Sequence, residues 1–296
     1  MDTSHAALVS PLLLVDAGNT RAKLGLFDLA TIEPGRLPEC RHWCSLENND
    51  APDWSCFAPA MRHPLARLCL TGSNPARVAE LTMALPQDWP APESLPPRGK
   101  FPIGIDVDFP ERVGIDRLLN AIAGNHLREP QQAAILVSSG TATTIDYLDA
   151  TGTFRGGAIL PGFELSAHSL HRYTALLPLI PLNGVIESPP DEVGRNTEAA
   201  MQSGLYWGHV GAVRELLRRY LHLAAAELAS TPDESRHLGN LRESEAPLVL
   251  VTGGAAPLVL PHLPGNCRDE PRLALQGLAL LIHHLCRQAA PASLRH

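Results

Sequence analysis

The chain has no run of apolar residues approaching the roughly 18 needed to cross a bilayer, and Met1 to Ser10 lacks the basic, apolar and small-residue order of a secretory leader. A cytoplasmic protein with no membrane partner is expected. Nor does it have a cluster of Lys and Arg: 24 basic residues stand against 31 acidic ones, a net charge of −7. Nucleic acid is gripped by concentrated positive charge, so it is excluded as the main partner. The six cysteines form no disulfide framework, and Cys40, His42, Cys44 and Cys56 match no standard spacing of zinc ligands, so free thiols in a reducing compartment are expected. Two common nucleotide signatures are also missing, the Gly-x-x-x-x-Gly-Lys-Ser/Thr loop and the dinucleotide fingerprint.

What is present is enough apolar residue, 45% of 296, for one large domain or two ordinary ones. Leu12 to Val15 read as a strand buried on both faces, broken by Asp16-Ala17-Gly18-Asn19-Thr20, with a second strand from Ala22. Such a tip is either a plain turn or a phosphate cradle in which Asp16 faces a metal ion. Ala133 to Val137 repeats the pattern, ending in Ser138-Ser139-Gly140-Thr141-Ala142 before a strand from Ile145, so Gly18 and Gly140 are 140 − 18 = 122 residues apart. Leu248 to Val251 ends in Thr252-Gly253-Gly254-Ala255-Ala256. Three small-residue loops at strand ends suit a nucleotide, because glycine lets backbone amides approach phosphate oxygens. The weak repeat suggests two similar α/β domains, over 1–130 and 131–296, with a nucleotide cleft between them.

Between these landmarks, His42 to Leu46 and Leu65 to Leu70 read as strands, and Ala76 to Leu85 as a helix with Pro75 at its start. Pro86 to Pro102, with six prolines, is a surface loop or crossing segment. Helices are expected over Glu164 to Leu176, from Gly194 to Leu228 with one break around Gly204 and Gly211, and over Leu273 to Arg287. Proline-rich Leu177 to Pro190 and polar Ser230 to Pro247 read as loops.

Phe109-Pro110-Glu111-Arg112-Val113-Gly114-Ile115-Asp116-Arg117 leads into a helical stripe of residues 115, 118, 119 and 122. Asp116 and Arg117 fall in the first turn, off that stripe, where the helix N-terminus favours a carboxylate anion. An ordinary helix start with a surface Arg gives the same pattern.

Taken together, the order of these blocks resembles the acetate and sugar kinase, Hsp70 and actin superfamily and, within it, the type III pantothenate kinases. Asp16 to Thr20 resembles the family's first phosphate motif, and Pro110 to Arg117 its Pro-x-x-x-Gly-x-Asp-Arg signature. Ser139 to Thr144 with Gly156 to Gly162 resembles its central block, and Gly194 to Thr197 followed by Ser203-Gly204 the next. The resemblance implies two actin-like (ribonuclease H-like) domains and ATP-dependent phosphorylation of pantothenate, the first step of coenzyme A synthesis. It implies Asp116 as the general base that takes the proton of the substrate's primary hydroxyl. Asp16, Ala17, Gly18, Asn19, Thr20, Arg21, Ala22, Lys23, Gly140 and Thr141 would hold the ATP phosphates, Asp16 through water on Mg2+. Gly253 and Gly254 would lie near the adenosine; Gly114, Ile115, Asp116, Arg117 and Thr197 would line the pantothenate site of a homodimer.

Two positions depart from the family. Ser138 stands where an aspartate usually helps bind a monovalent cation, so a neutral hydroxyl replaces a charge at the K+ or NH4+ position. Val107 stands at the substrate-site position where a tyrosine is usual. These departures keep open a regulatory relative without catalysis, of the kind described as transcriptional accessory factors. Another small-molecule kinase or phosphatase of the superfold is the further alternative, although it has no reason to carry Gly114-Ile115-Asp116-Arg117.

Overall fold

Pro11–Ala17 forms the first strand, β1, because its apolar residues can be covered on both faces: Leu12 to Val15 and Ala17 are fully buried. The computed structural model describes residues 10–29, 32–180, 189–230 and 246–289. They divide into two units, one built from residues up to Leu127 together with those from Arg272 onward, the other from Arg128–Pro271. The expected loops at Leu177 to Pro190 and Ser230 to Pro247 have their centres, 181–188 and 231–245, outside the described residues.

In the first unit β1 is followed by β2 (Arg21–Asp28), β3 (Cys40–Glu47) and β4 (Arg67–Thr71), arranged in the order β3-β2-β1-β4. β1 runs antiparallel to β2, which runs antiparallel to β3, and β1 is parallel to β4. A short helix α1 (Ala58–Met61) carries Met61 into a core with Trp54, Phe57 and Leu81. α2 (Pro75–Met83) begins where expected: Asn74 Oδ1 accepts the Arg77 N–H at 3.1 Å, and Pro75 supplies the preset first helical φ. The proline-rich stretch after it crosses the edge of β4, where the Glu93 N–H donates to Leu68 O at 2.7 Å and Glu93 pairs with Arg67. A two-residue strand β5 (Gly104–Ile105) precedes α3 (Ile115–Leu127), whose residues 118–124 are buried.

The second unit uses the same plan. β6 (Ala134–Ser139) is antiparallel to β7 (Ala142–Leu148), β7 to β8 (Thr153–Pro161), and β6 is parallel to β9 (Leu248–Thr252), with β10 (Cys267–Asp269) beyond β9. In both units, then, the first strand lies between the second and the fourth. Helices α4 (Phe163–Tyr173), α5 (Thr197–Ser230) and α6 (Ala256–Val259) complete the unit. α5 differs from expectation in running unbroken for 34 residues. Gly204, Gly208 and Gly211 meet no neighbouring atoms that would bend it, so they cost helix propensity without interrupting the hydrogen-bond ladder.

The last helix, α7 (Leu273–Ala289), does not stay with the second half of the chain, as a simple split at residue 130 would have it. It lies against α3, β1 and β2 of the first unit, burying Leu273 to Ile282. Gly277 makes the approach possible: a Cβ there would run into the Leu119 carbonyl. All six cysteines are free, and among the described residues no cluster of three or more His, Cys, Asp or Glu suited to a metal gathers.

Gly277→Ala is expected to destabilise the protein by about 1–3 kcal/mol through overpacking at this crossing. Urea unfolding measures it, and an unchanged midpoint would contradict the close contact of α7 with α3.

Candidate active site

The carboxyl end of β1 places Asp16 opposite Lys23 on β2 and beside Thr71 on β4. The turn that follows is closed by the Gly18 N–H donating to Arg21 O at 2.9 Å. Asn48 braces it from outside: its Nδ2 donates to Gly18 O at 3.2 Å and Asn19 O at 2.7 Å, and its backbone N–H to Thr20 O at 3.0 Å. Arg21 pairs with Glu47 at 2.8 Å on the exposed side. Asp16 itself is only 8% exposed, and its Oδ1 has no hydrogen-bond partner. Burial pushes its carboxyl up to about 6; Lys23 pulls it down, and the neighbouring Asp116 charge pushes it further up.

Glycine brings a second loop against this hairpin. Gly72, at φ +153°, follows β4, and a Cβ on it would collide with the Ala17 backbone. The Asn74 N–H then donates to Ala17 O at 3.1 Å. Across from that loop, the turn Pro110–Arg112 and Gly114 set up the start of α3. A Cβ on Gly114 would stand 2.6 Å from Asp116 Oδ1, so a side chain there would displace that carboxylate. Asp116 is half-buried in the first helical turn, and one turn further, on the same face, Asn120 has a buried Oδ1 without a partner. A cavity of about 450 Å³ lies here, with Thr71 to Ser73, Arg98, Arg112, Gly114 and Ile115 in its wall.

The second unit builds the equivalent loops. The Gly140 N–H donates to Ala142 O at 3.1 Å, closing the β6–β7 tip, and the Gly162 N–H donates to Thr141 O at 2.9 Å. Gly253, at φ +100°, sits after β9 with its missing Cβ against the Ser139 backbone, and the Ala255 N–H donates to Ser139 O at 3.0 Å. The correspondence is residue for residue: Gly72 and Asn74 stand to Ala17 as Gly253 and Ala255 stand to Ser139. Beneath the tip a buried chain of polar groups links Ser139 Oγ to Thr143 Oγ1 at 3.3 Å and Thr143 Oγ1 to His209 Nε2 at 3.2 Å. Burial pulls the His209 imidazole below its usual range. On the opposite face Ser138 is paired in register with Thr144 and Thr252, and Thr144 Oγ1 donates to the buried Asp146 Oδ2 at 3.1 Å. Thr197 begins α5 and lies in the wall of a second cavity, about 830 Å³, between α4 and α5.

Comparison with known proteins decides the family. The profile of type III pantothenate kinases matches residues 12–219. The chain belongs to this family. Relatives named type III pantothenate kinase include that of Rubrobacter xylanophilus, 33% identical over 91% of this chain and 96% of its own, and that of Gluconobacter oxydans, 34% identical over 91% and 92%. Among solved structures, the ADPNP-bound activator of 2-hydroxyisocaproyl-CoA dehydratase from Clostridium difficile aligns over 94% of this chain and 96% of its own, at 11% identity and a TM-score of 0.46.

As a type III pantothenate kinase the chain has its signature on the elements that wall the first unit's cavity. Gly114 and Ile115 line it; Val107, Asp116 and Arg117 are not in its wall. Asp16 and Asp116, 100 residues apart in sequence (116 − 16 = 100), are brought close enough for their charges to interact. Sequence reasoning missed Asn48, Gly72, Asn120 and Asp146. Only Gly72 had a usable signal, the Thr-Gly pair after a buried strand that Thr71-Gly72 shares with Thr252-Gly253.

Asp16 and Asp116 form a small acidic pair with one orphaned, buried oxygen. That suits Mg2+, which takes one or two carboxylates and completes its shell with water and phosphate oxygens. Without metal, the raised Asp16 carboxyl costs stability that grows as pH rises from its unfolded value near 3.8 to about 6 and stays constant above. Asp16→Asn is therefore expected to stabilise the metal-free protein by about 1–3 kcal/mol at pH 7.5 and to lose that gain below pH 4. Chemical denaturation in a chelator against pH is the measurement; equal profiles for both proteins would contradict the burial cost.

Proposed function

We propose that the protein transfers the γ-phosphoryl group of ATP to the primary hydroxyl of pantothenate, opening coenzyme A synthesis. The observation that carries this reading is the family's Pro-x-x-x-Gly-x-Asp-Arg signature, here Pro110 to Arg117, seated beside the buried Asp16 and a small-molecule cavity. Asp116 accepts the proton of the hydroxyl as its oxygen attacks the γ-phosphorus, and ADP leaves with the electron pair of the broken P–O bond. Asp116 lies in the first turn of α3, and bare Gly114 leaves its carboxylate room to meet the substrate. Phosphoryl transfer needs mainly positioning and charge neutralisation. Lys23 and the backbone from Ala17 to Ala22 supply these for the ATP phosphates in this reading, and Asn48 keeps the tip in shape. Asp16 would hold Mg2+ through water, and the ion would supply further neutralisation. Gly140 and Thr141 are assigned to the phosphates, Gly253 and Gly254 to the adenosine, and Arg117 and Thr197 to pantothenate.

Any K+ or NH4+ in this reading is held without the family's aspartate. Ser138 offers only a neutral oxygen, and the carboxylate on its face, Asp146, already accepts from Thr144. The six free cysteines agree with a cytoplasmic enzyme.

The same reading includes a homodimer. Leu165, Tyr173, Leu176 and Leu179 are exposed along and after α4, beside the largely apolar cavity that holds Thr197. A contiguous apolar face of this kind suits a second copy of the chain.

A coupled ADP-release assay is expected to show pantothenate-dependent turnover with Mg2+ that needs no added K+; no turnover under any cation would overturn the assignment. Asp116→Asn should lower kcat by about 10²–10⁴-fold with an unchanged circular dichroism spectrum, and near-normal turnover would remove Asp116 from the reaction. Light scattering should find a dimer that Tyr173→Asp with Leu176→Asp converts to monomer. A monomeric wild type, or a dimer untouched by the double variant, would contradict this interface.

A further inference from the structure

The first unit's cavity has a positive end that the family signature does not account for. Its wall runs from Thr71 to Ser73 at the ends of the strands, past Gly114 and Ile115, to Arg98 and Arg112. These two arginines differ in what holds them. Arg112 is largely exposed, lies over the Phe109 ring at 4.7 Å and is 3.8 Å from its neighbour Glu111, so its charge is shared and screened. Arg98 is half-buried on the turn Arg98–Lys100, which Pro96 and Pro97 stiffen from one side and buried Phe101 anchors from the other. Its Nη1 donates to Pro110 O at 2.6 Å. That carbonyl is neutral, and no carboxylate among the described residues pairs with Arg98.

A half-buried guanidinium, aimed by a carbonyl and with its charge unmatched, is poised for an anion. Its planar fork matches a carboxylate in particular. The carbonyl that holds it belongs to Pro110, the first residue of the segment that ends at Asp116. A volume of about 450 Å³ falls in the range of small-molecule sites.

We propose that Arg98 is the specificity-determining residue that binds the substrate's carboxylate, so that the enzyme selects a primary alcohol carrying an anionic group at its far end over the uncharged analogue. The inference rests on the reading of the site as a pantothenate kinase and adds to it the residue that recognises the acid. Arg98 had no sequence signal, because the segment from Pro86 to Pro102 shows no periodicity and reaches the site only by crossing the edge of β4.

The test compares pantothenate with pantothenol, the same molecule with the carboxylate replaced by an alcohol, on wild type, Arg98→Gln and Arg98→Lys. Both kcat/KM and binding without ATP, by calorimetry, are measured. The wild type should favour pantothenate, and Arg98→Gln should weaken it by about 10- to 100-fold, mostly in KM. The preference over pantothenol then collapses toward one, and Arg98→Lys restores part of it. Thermal unfolding checks that the variants fold. Retained discrimination in Arg98→Gln, or a wild type that binds both ligands equally, overturns the role of Arg98 while leaving the kinase reading intact. Arg98-dependent preference in binding without turnover of either compound supports the carboxylate site and overturns the kinase reading instead.

Discussion

Asp16 is a carboxylate at the end of a strand whose neighbours are all apolar, and one of its oxygens meets no donor. Burial disfavours its charge, and the second carboxylate nearby, Asp116, disfavours it further. Nothing in the packing of β1 requires a polar residue there: an apolar side chain would complete the strand at lower cost. The carboxylate is tolerated because the core beneath it, from Leu12 to Val15, is fully closed and fixes the strand regardless. The rest of the first unit closes around that oxygen without giving it a donor. Lys23 stands in register with it, Gly72 brings the β4 loop close without a side chain, and Asn48 binds the outer carbonyls of the turn so that they need no inner partner.

The second unit solves the same backbone problem with different side chains. A loop after a parallel strand can fold against the first strand's end only where a residue tolerates positive φ and lacks a Cβ, and Gly72 and Gly253 occupy those two places. Ala17 and Ser139 each accept the same backbone hydrogen bond two residues later. This explains why the duplication was visible in the sequence at all. Strand ends and glycines answer to local backbone geometry, so β1, β2, β6, β7 and β9 and their three loops could be read from short apolar runs and the punctuation after them. The chemistry is not duplicated: an acidic pair occupies the first tip, whereas hydroxyls and a buried, neutral-leaning His209 support the second.

What escaped sequence reasoning depends on contacts between distant residues. The return of α7 to α3 turns on one glycine, Gly277, and a helix with so many buried residues could have packed on either half by periodicity alone. Gly204 and Gly211 suggested a break in α5, yet the helix continues because its buried face, from Met201 to Ala224, offsets the propensity lost. Asn48 lies in a turn after β3 where an asparagine is unremarkable, and only its two side-chain bonds to the hairpin, 30 and 29 residues away, give that side chain a role. Asp116 was legible through a motif and Asp16 through a loop, but their proximity was not.

That proximity divides the work of the site. Asp16 is the more deeply buried of the two, with an oxygen that only a cation or a proton can satisfy, which suits it to hold metal and phosphate. Asp116 lies at a helix start and is only half-buried. Two carboxylates this close repel, so the site is best balanced when positive charge arrives with the nucleotide. In the proposed reaction the acid end of the other substrate is left to separate cations, since Lys23 stands in register with Asp16. Arg98, held by the Pro110 carbonyl at the start of the stretch that ends in Asp116, is placed to meet that need without disturbing the acidic pair.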